Sequence, residues 1–224
     1  MANVQKYSDY TDIGHLLKHY ERSVPAGHYS NENIDCSRLE EDYNLAPERA
    51  AGRSPTEYIK RKVEEITAGQ KKARDNLVKM VTWIVDKPKN LPENKEQDFF
   101  RAAYDFMCKR YASTRMGEDT VLSAYVHKSE TTPHLHFSFI PVKEKKDGLH
   151  ITAKEVINQR DLKNFHRDLE EFMIERGLCK KGDILNGATL RDSSGRVLSM
   201  HEFKREERTR TREQKRERNI NLDW

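Results

Sequence analysis

The residues best suited to chemistry sit between Tyr125 and Pro141, in the run YVHKSETTPHLHFSFIP. His127, Glu130, His134 and His136 fall within ten positions there. His134-Leu135-His136 lies in an otherwise apolar run and reads as a strand, on which residues two apart share a face. The two imidazoles then project side by side while Leu135 faces the core. Thr120 to His127 reads as a second strand, and the KSETTP between them as a polar turn ended by Pro133. A hairpin of this kind returns His127 to the side of His134 and His136. Three converging imidazoles with a carboxylate in the turn make a divalent metal site that keeps coordination positions open. A His-x-His pair alone is more often a solvated pair. His127 and Glu130 across a short turn are what favour a metal. Glu130 is expected to support or cap the site rather than to ligate.

Several elements must position these groups. The 224 residues suffice for one substantial core, or one core plus a helical extension. Charged and hydrophobic residues each make up 35%, which is polar for a globular domain, but the apolar residues are clustered and argue against disorder. A net charge of +4 permits a nucleic-acid partner without demanding one. Cys36, Cys108 and Cys179 are far apart and lack CxxC spacing, which excludes a disulfide framework or zinc ribbon and fits a reducing compartment. No apolar run is long enough for a membrane span and no signal peptide is evident, so a cytoplasmic protein is expected.

In chain order, residues 2 to 7 form a short strand candidate. A helix capped by Thr11 or Asp12 runs to about Arg22, with Ile13, Leu16, Leu17 and Tyr20 on its apolar face. Asp12, His15, His19 and Arg22 share its polar face. Residues 23 to 55 read as a long loop, with at most a brief strand near Asp35 to Tyr43. Ser54-Pro55-x-Glu57 starts a helix to about Ala68, closed by Gly69. Asn76 to Asp86 is a strong strand, and a long helix follows from Pro92 or Glu93 to about Tyr111. After the histidine strands come a charged turn at Lys143 to Gly148, a short strand at Leu149 to Ile151 and a short helix from Thr152. A further helix spans Asp161 to Arg176. This order predicts an α+β fold: a largely antiparallel sheet with helices packed on one face and the histidine hairpin as the open floor of a cleft.

Leu178 to Val197 reads as loop. Ser199 to about Arg218 is a charged helix whose large apolar residues, Met200 and Phe203, lie near its start. Beyond Phe203 it projects into solvent or lies on a partner. The chain therefore divides into a catalytic domain over 1–198 and a charged helical extension over 199–224, expected to lead into a further C-terminal region.

Three segments resemble one known family. HKSETTPHLH is similar to the HxDExTPHxH signature of plasmid mobilisation relaxases of the Mob/Pre type, the MOBV class of the His-hydrophobe-His endonucleases. His19-Tyr20-Glu21-Arg22 resembles the family's first motif, His-Asn-x-Arg. Asn31 to Leu45 resembles its second, an Asn-x-Asp-Ile stretch followed by Ser and Asn-Tyr, and Glu202-Phe203-Lys204 resembles the close of the domain. The likeness spans roughly 13–204. It implies strand-specific nicking and joining at a plasmid origin of transfer, through a covalent link to the 5′ end. It also implies that His127, His134 and His136 hold Mn²⁺ or Mg²⁺, that Glu130 supports them, and that His19 is the nucleophile. The implied partners are single-stranded or hairpin origin DNA and a conjugative coupling protein. Four positions depart from the motifs: Ser129 for Asp, Tyr20 for Asn, Asn33 for Asp, and Asp42 for Asn.

Transesterification at a phosphodiester needs an in-line nucleophile and stabilisation of charge at phosphorus. Neutral imidazole is abundant near pH 7, which suits His19, and Arg22 could hold a phosphate oxygen. Imidazole ligands suit Mn, Co, Ni or Zn better than Mg, whereas the resemblance favours Mn or Mg. Tyr20 shares a face with Leu16 and Leu17 and is expected in the core, and Tyr125 is expected to be structural. The loop and the basic tail are expected to hold the DNA backbone, through Asn31, Ser37, Arg38 and Tyr43 on one side and Arg208, Arg210 and Arg212 on the other. Two rival readings remain open. One is a tyrosine endonuclease of the rolling-circle initiator or transposase kind; the other is a metal-stabilised DNA-binding protein without cleavage activity.

Overall fold

The structure, a computed structural model, describes residues 2–23, 34–46, 54–68 and 76–184. In chain order these form β1 (Ala2–Tyr7), α1 (Tyr10–Tyr20), a 3-10 helix (Cys36–Glu41), β2 (Tyr43–Asn44), α2 (Pro55–Thr67) and β3 (Met80–Asp86). Then follow α3 (Glu96–Tyr111), β4 (Val121–His127), β5 (His134–Phe139), β6 (Val142–Lys145), β7 (Gly148–Ile151), α4 (Ala153–Val156) and α5 (Gln159–Ile174). The main sheet has five strands in the order β1-β3-β5-β4-β2, and every neighbouring pair is antiparallel. The His-Leu-His strand β5 is thus central, between β3 and β4, where both edges are paired and its side chains are held in register.

Alternation along the strands sorts the two faces. Val81, Trp83 and Val85 of β3 and Leu135, Phe137 and Phe139 of β5 pack with Phe99, Phe100 and Met107 of α3 and Phe165 and Leu169 of α5. The Trp83 and Phe165 rings stack at 3.7 Å between centroids. The intervening residues, Thr82, His134, His136 and Ser138, therefore lie on the opposite face. That face is not an open floor. Ile13, Leu17 and Tyr20 of α1 pack over it with Ile59, Val63 and Ile66 of α2, Met80 and Leu122. The α+β class and the antiparallel sheet with α3 and α5 on one face are as expected; α1 and α2 add a smaller layer on the other. Gly14 permits this layer to be tight, because a Cβ there would stand 2.4 Å from Thr56 Oγ1.

Local chemistry explains where the elements begin and end. Asp9, rather than Thr11 or Asp12, caps α1, accepting from the backbone N–H groups of Thr11 and Asp12. The helix stops at Tyr20, and Arg22 adopts a left-handed φ of 52° just past its end. The expected capping box of Ser54 and Glu57 starts α2. The brief strand anticipated near 35–43 is instead a 3-10 helix, because the Asp35 carboxylate caps it at Ser37 N; strand pairing is confined to Tyr43–Asn44. The anticipated charged turn at 143–148 is a hairpin, with β6 and β7 joined where Gly148 takes a φ of 129°. The helix anticipated over Ser199 to Arg218 lies outside the described residues.

Candidate metal centre and catalytic site

Register assembles the histidines. His127 of β4 is the cross-strand partner of His134 of β5, and His136 lies two residues farther along on the same face. One ring nitrogen from each lies within 4.8 Å of the others, so the three can hold one ion. His134 Nδ1 donates to the Thr132 carbonyl at 2.8 Å, which leaves its Nε2 as the lone-pair nitrogen. That Nε2 faces His136 Nε2 at 2.9 Å. Two nitrogens bound about 2.1 Å from one ion at right angles stand about 3.0 Å apart, so this pair is spaced as two ligands of one cation. His127 Nε2 is held by the protein backbone, whereas its Nδ1 is buried with no well-formed hydrogen bond among the described residues, the condition of a nitrogen available to a cation. Burial holds His134 and His136 below the ordinary histidine pKa and keeps both rings in the neutral, ligating form.

Helix α1 brings the next groups. The His19 ring stands edge-on to His127 at 5.8 Å and to His136 at 6.4 Å. Burial, then the Arg22 charge, lowers its pKa, so it too is neutral near pH 7. Tyr20 lies beneath, 3% exposed, its ring stacked on His136 at 4.1 Å. Burial pushes its phenol far above the ordinary tyrosine pKa, a poor state for a nucleophile. Its backbone carbonyl accepts from His127 Nε2 at 2.8 Å. His15, expected to point with His19, is exposed to solvent.

Arg22 closes the site. Its Nη2 donates to Glu130 Oε1 at 2.8 Å and to Ser129 Oγ at 3.2 Å, and its Nε donates to Asp42 Oδ2 at 2.8 Å. Glu130 Oε1 also lies 3.3 Å from His127 Nδ1. Burial alone would raise the Glu130 pKa, but the His127 ring and the Arg22 guanidinium outweigh it and keep the carboxylate ionised. His19, His127 and Glu130 form a second group close enough to share an ion. His19, Arg22, His127, Glu130, His134 and His136, named from spacing and resemblance, are thus brought together. The DNA-contact residues are not all so placed. Ser37 donates its hydroxyl to Asp35, and Arg38 is paired with Glu41 at 2.8 and 2.9 Å. Tyr43 packs against the main core with its hydroxyl buried. Asn31, Arg208, Arg210 and Arg212 lie outside the described residues. Sequence reasoning gave no role to Asp42, which touches both Arg22 and Ser129; its mark in the sequence was a departure from a motif.

Residues 1–205 match the family model described as plasmid recombination enzyme, Mob_Pre. The chain belongs to this family. It is 30% identical over 183 residues to a plasmid recombination enzyme type 3 of Staphylococcus aureus, covering 79% of this chain. A plasmid recombination enzyme of Streptococcus agalactiae is 27% identical over 194 residues. The chain spans 41% of the length of the first of these relatives and 36% of the second. Among solved structures, the MobM relaxase domain bound to plasmid pMV158 oriT DNA, in a Mn-bound crystal at pH 6.8, matches 92% of this chain and 97% of its own. Its TM-score is 0.71 at 27% identity. The family match encloses every residue of the site described above.

Proposed function

We propose that this chain is the nicking-joining part of a plasmid relaxase. It cleaves one strand at an origin of transfer and keeps the 5′-phosphate on His19. The observation that carries this reading is the set of three convergent imidazoles beneath a helix that presents a fourth, His19. The Mn-bound complex of the MobM domain with oriT DNA supports the same substrate and ion here. His127, His134 and His136 would hold the cation, Mn²⁺ or Mg²⁺, which when bound polarises the scissile phosphate by Lewis acidity.

The chain's own residues do the rest. The His19 lone pair forms a bond to phosphorus while the bond from phosphorus to the 3′-oxygen breaks, and that oxygen leaves as a 3′-hydroxyl after taking a proton. Positive charge grows on His19 as it attacks, and the ionised Glu130 stabilises it. Arg22 supplies positive charge toward the phosphate oxygens. Rejoining is the reverse. The buried phenol of Tyr20 argues against the tyrosine alternative. The division at residue 198, action in the cytoplasm and a coupling-protein partner belong to the same proposal; no described helix is long and apolar enough to cross a membrane.

The test is incubation with supercoiled plasmid carrying the cognate origin and Mn²⁺. Relaxed circles with protein on one 5′ end are expected. DNA binding and metal binding without relaxation would leave the non-catalytic reading.

A further inference from the structure

Asp42 is a heavily engaged carboxylate beside the site, and nothing in the proposed chemistry uses it. Its side chain is 1% exposed. Oδ1 accepts from the backbone N–H groups of Lys128 at 2.6 Å and Ser129 at 2.8 Å. Oδ2 accepts from Ser129 Oγ at 2.7 Å and from Arg22 Nε at 2.8 Å. One carboxylate thus joins three segments: the chain just past α1, the end of the 3-10 helix and the turn that follows His127. Arg22 stands there with a left-handed φ of 52°, a conformation that persists for a side-chain-bearing residue only where its surroundings over-determine it. The backbone adds a second tie, since Asp35 N donates to the Ser129 carbonyl at 2.8 Å.

We propose that Asp42 is the positioning residue for Arg22, fixing the guanidinium that faces Glu130 and the scissile phosphate. The charge is carried on the segment before β2, whereas the turn after His127 offers only the neutral Ser129. Ser129 Oγ nevertheless lies 3.2 Å from Arg22 Nη2, so a carboxylate at position 129 would reach the same guanidinium. Two carboxylates, at 42 and at 129, would face each other across 2.7 Å or so and repel, and none would leave Arg22 to Glu130 alone. The inference rests on the relaxase reading for its catalytic consequence, but the contact itself can be tested apart from it.

The full chain would be made as wild type, Asp42→Asn, Asp42→Asn with Ser129→Asp, Arg22→Ala, and Arg22→Ala with Asp42→Asn. Asp42→Asn keeps an oxygen for the two backbone donors and removes the charge. Its rate of adduct formation with a Mn²⁺-loaded origin oligonucleotide should fall about tenfold or more, because small misplacements of a clamping group are costly. Its Kd for the oligonucleotide should stay within about twofold, since the phosphate backbone dominates affinity. Ser129→Asp should restore the rate to within about threefold. In the Arg22→Ala background, Asp42→Asn should change the rate by less than about twofold, as residues acting through one partner are not additive. The slowly exchanging Nε–H signal of Arg22 in 15N-arginine spectra should be lost in Asp42→Asn, because Asp42 is the group that accepts from Nε. A folded Asp42→Asn variant with a full rate, or equal losses with and without Arg22, would overturn the proposal. So would an unchanged Nε–H signal, or a folded double variant no faster than Asp42→Asn. If the wild type forms no adduct, the relaxase reading fails, and the Nε–H signal still decides the role of Asp42.

Discussion

Truncation of Tyr20 separates a supporting residue from a reacting one. Its ring is 3% exposed, packs with Ile13, Leu17 and Ile59, and stacks on His136 at 4.1 Å. Its hydroxyl lies against Thr82 and Tyr7. Tyr20→Ala empties an aromatic site in the α1 layer and should destabilise the protein by about 3–5 kcal/mol. For a chain of this size that is a fall in Tm of about 6–20 °C. It also frees one face of His136, so Mn²⁺ affinity should drop about tenfold, the lower end of the range for groups that orient metal ligands. Tyr20→Phe keeps the ring and its stack and loses only a hydroxyl. It should lose about 1 kcal/mol, or about 2–4 °C, and bind Mn²⁺ within about twofold of wild type. Thermal unfolding by circular dichroism and titration calorimetry read both effects. A Tyr20→Ala variant that binds Mn²⁺ as tightly as Tyr20→Phe would refute the view that this ring holds His136 in place.

Three further outcomes are expected. Replacing His134 and His136 together by Ala should abolish Mn²⁺ binding and nicking while the circular dichroism spectrum is retained; wild-type nicking by that variant would remove them from the site. The metal-free protein should lose stability as pH falls through about 6.5, the unfolded-state histidine pKa, because burial depresses His19, His134 and His136 and only the unfolded chain then takes up protons. Urea denaturation at pH 7.5 and 5.5 checks the sign, and equal stability at both would contradict it. Neutralising Arg208, Arg210 and Arg212 together should weaken oligonucleotide binding and flatten its salt dependence by roughly one unit per lost phosphate contact; an unchanged slope would mean that these residues are only solvated.

Much of the site was legible because its signals are local and periodic. A two-residue spacing on an apolar strand put His134 and His136 on one face, and a short turn returned His127 to them. Helical spacings of four and three residues put Tyr20 with Ile13 and Leu17, and Ser54 with Glu57 announced α2. The rest depends on contacts that no window contains. The carboxylate at 42 meets Ser129 across 87 positions, and although both residues depart from the family motifs, neither departure shows that the two touch. Arg22 was read as a helix residue one turn from His19, but it leaves the helix and reaches Glu130 from a left-handed backbone. The strand expected near Asp35 to Tyr43 gives way to the 3-10 helix at Cys36–Glu41 because the Asp35 carboxylate caps Ser37 N, a local contact that the residue types there do not by themselves announce. The second helical layer was missed because the apolar stripe of α1 says that it packs, not against which face.

The central claim is that His19 carries the covalent bond to DNA while a three-histidine cation site activates the phosphate. The most direct measurement traps the adduct with an origin oligonucleotide and Mn²⁺, divides it between acid and base, and maps the modified peptide by mass spectrometry. A phosphoramidate on His19 is predicted, labile in acid and stable in base, absent from His19→Ala and present in Tyr20→Phe. An acid-stable bond on a tyrosine, lost in Tyr20→Phe and kept in His19→Ala, would contradict the account.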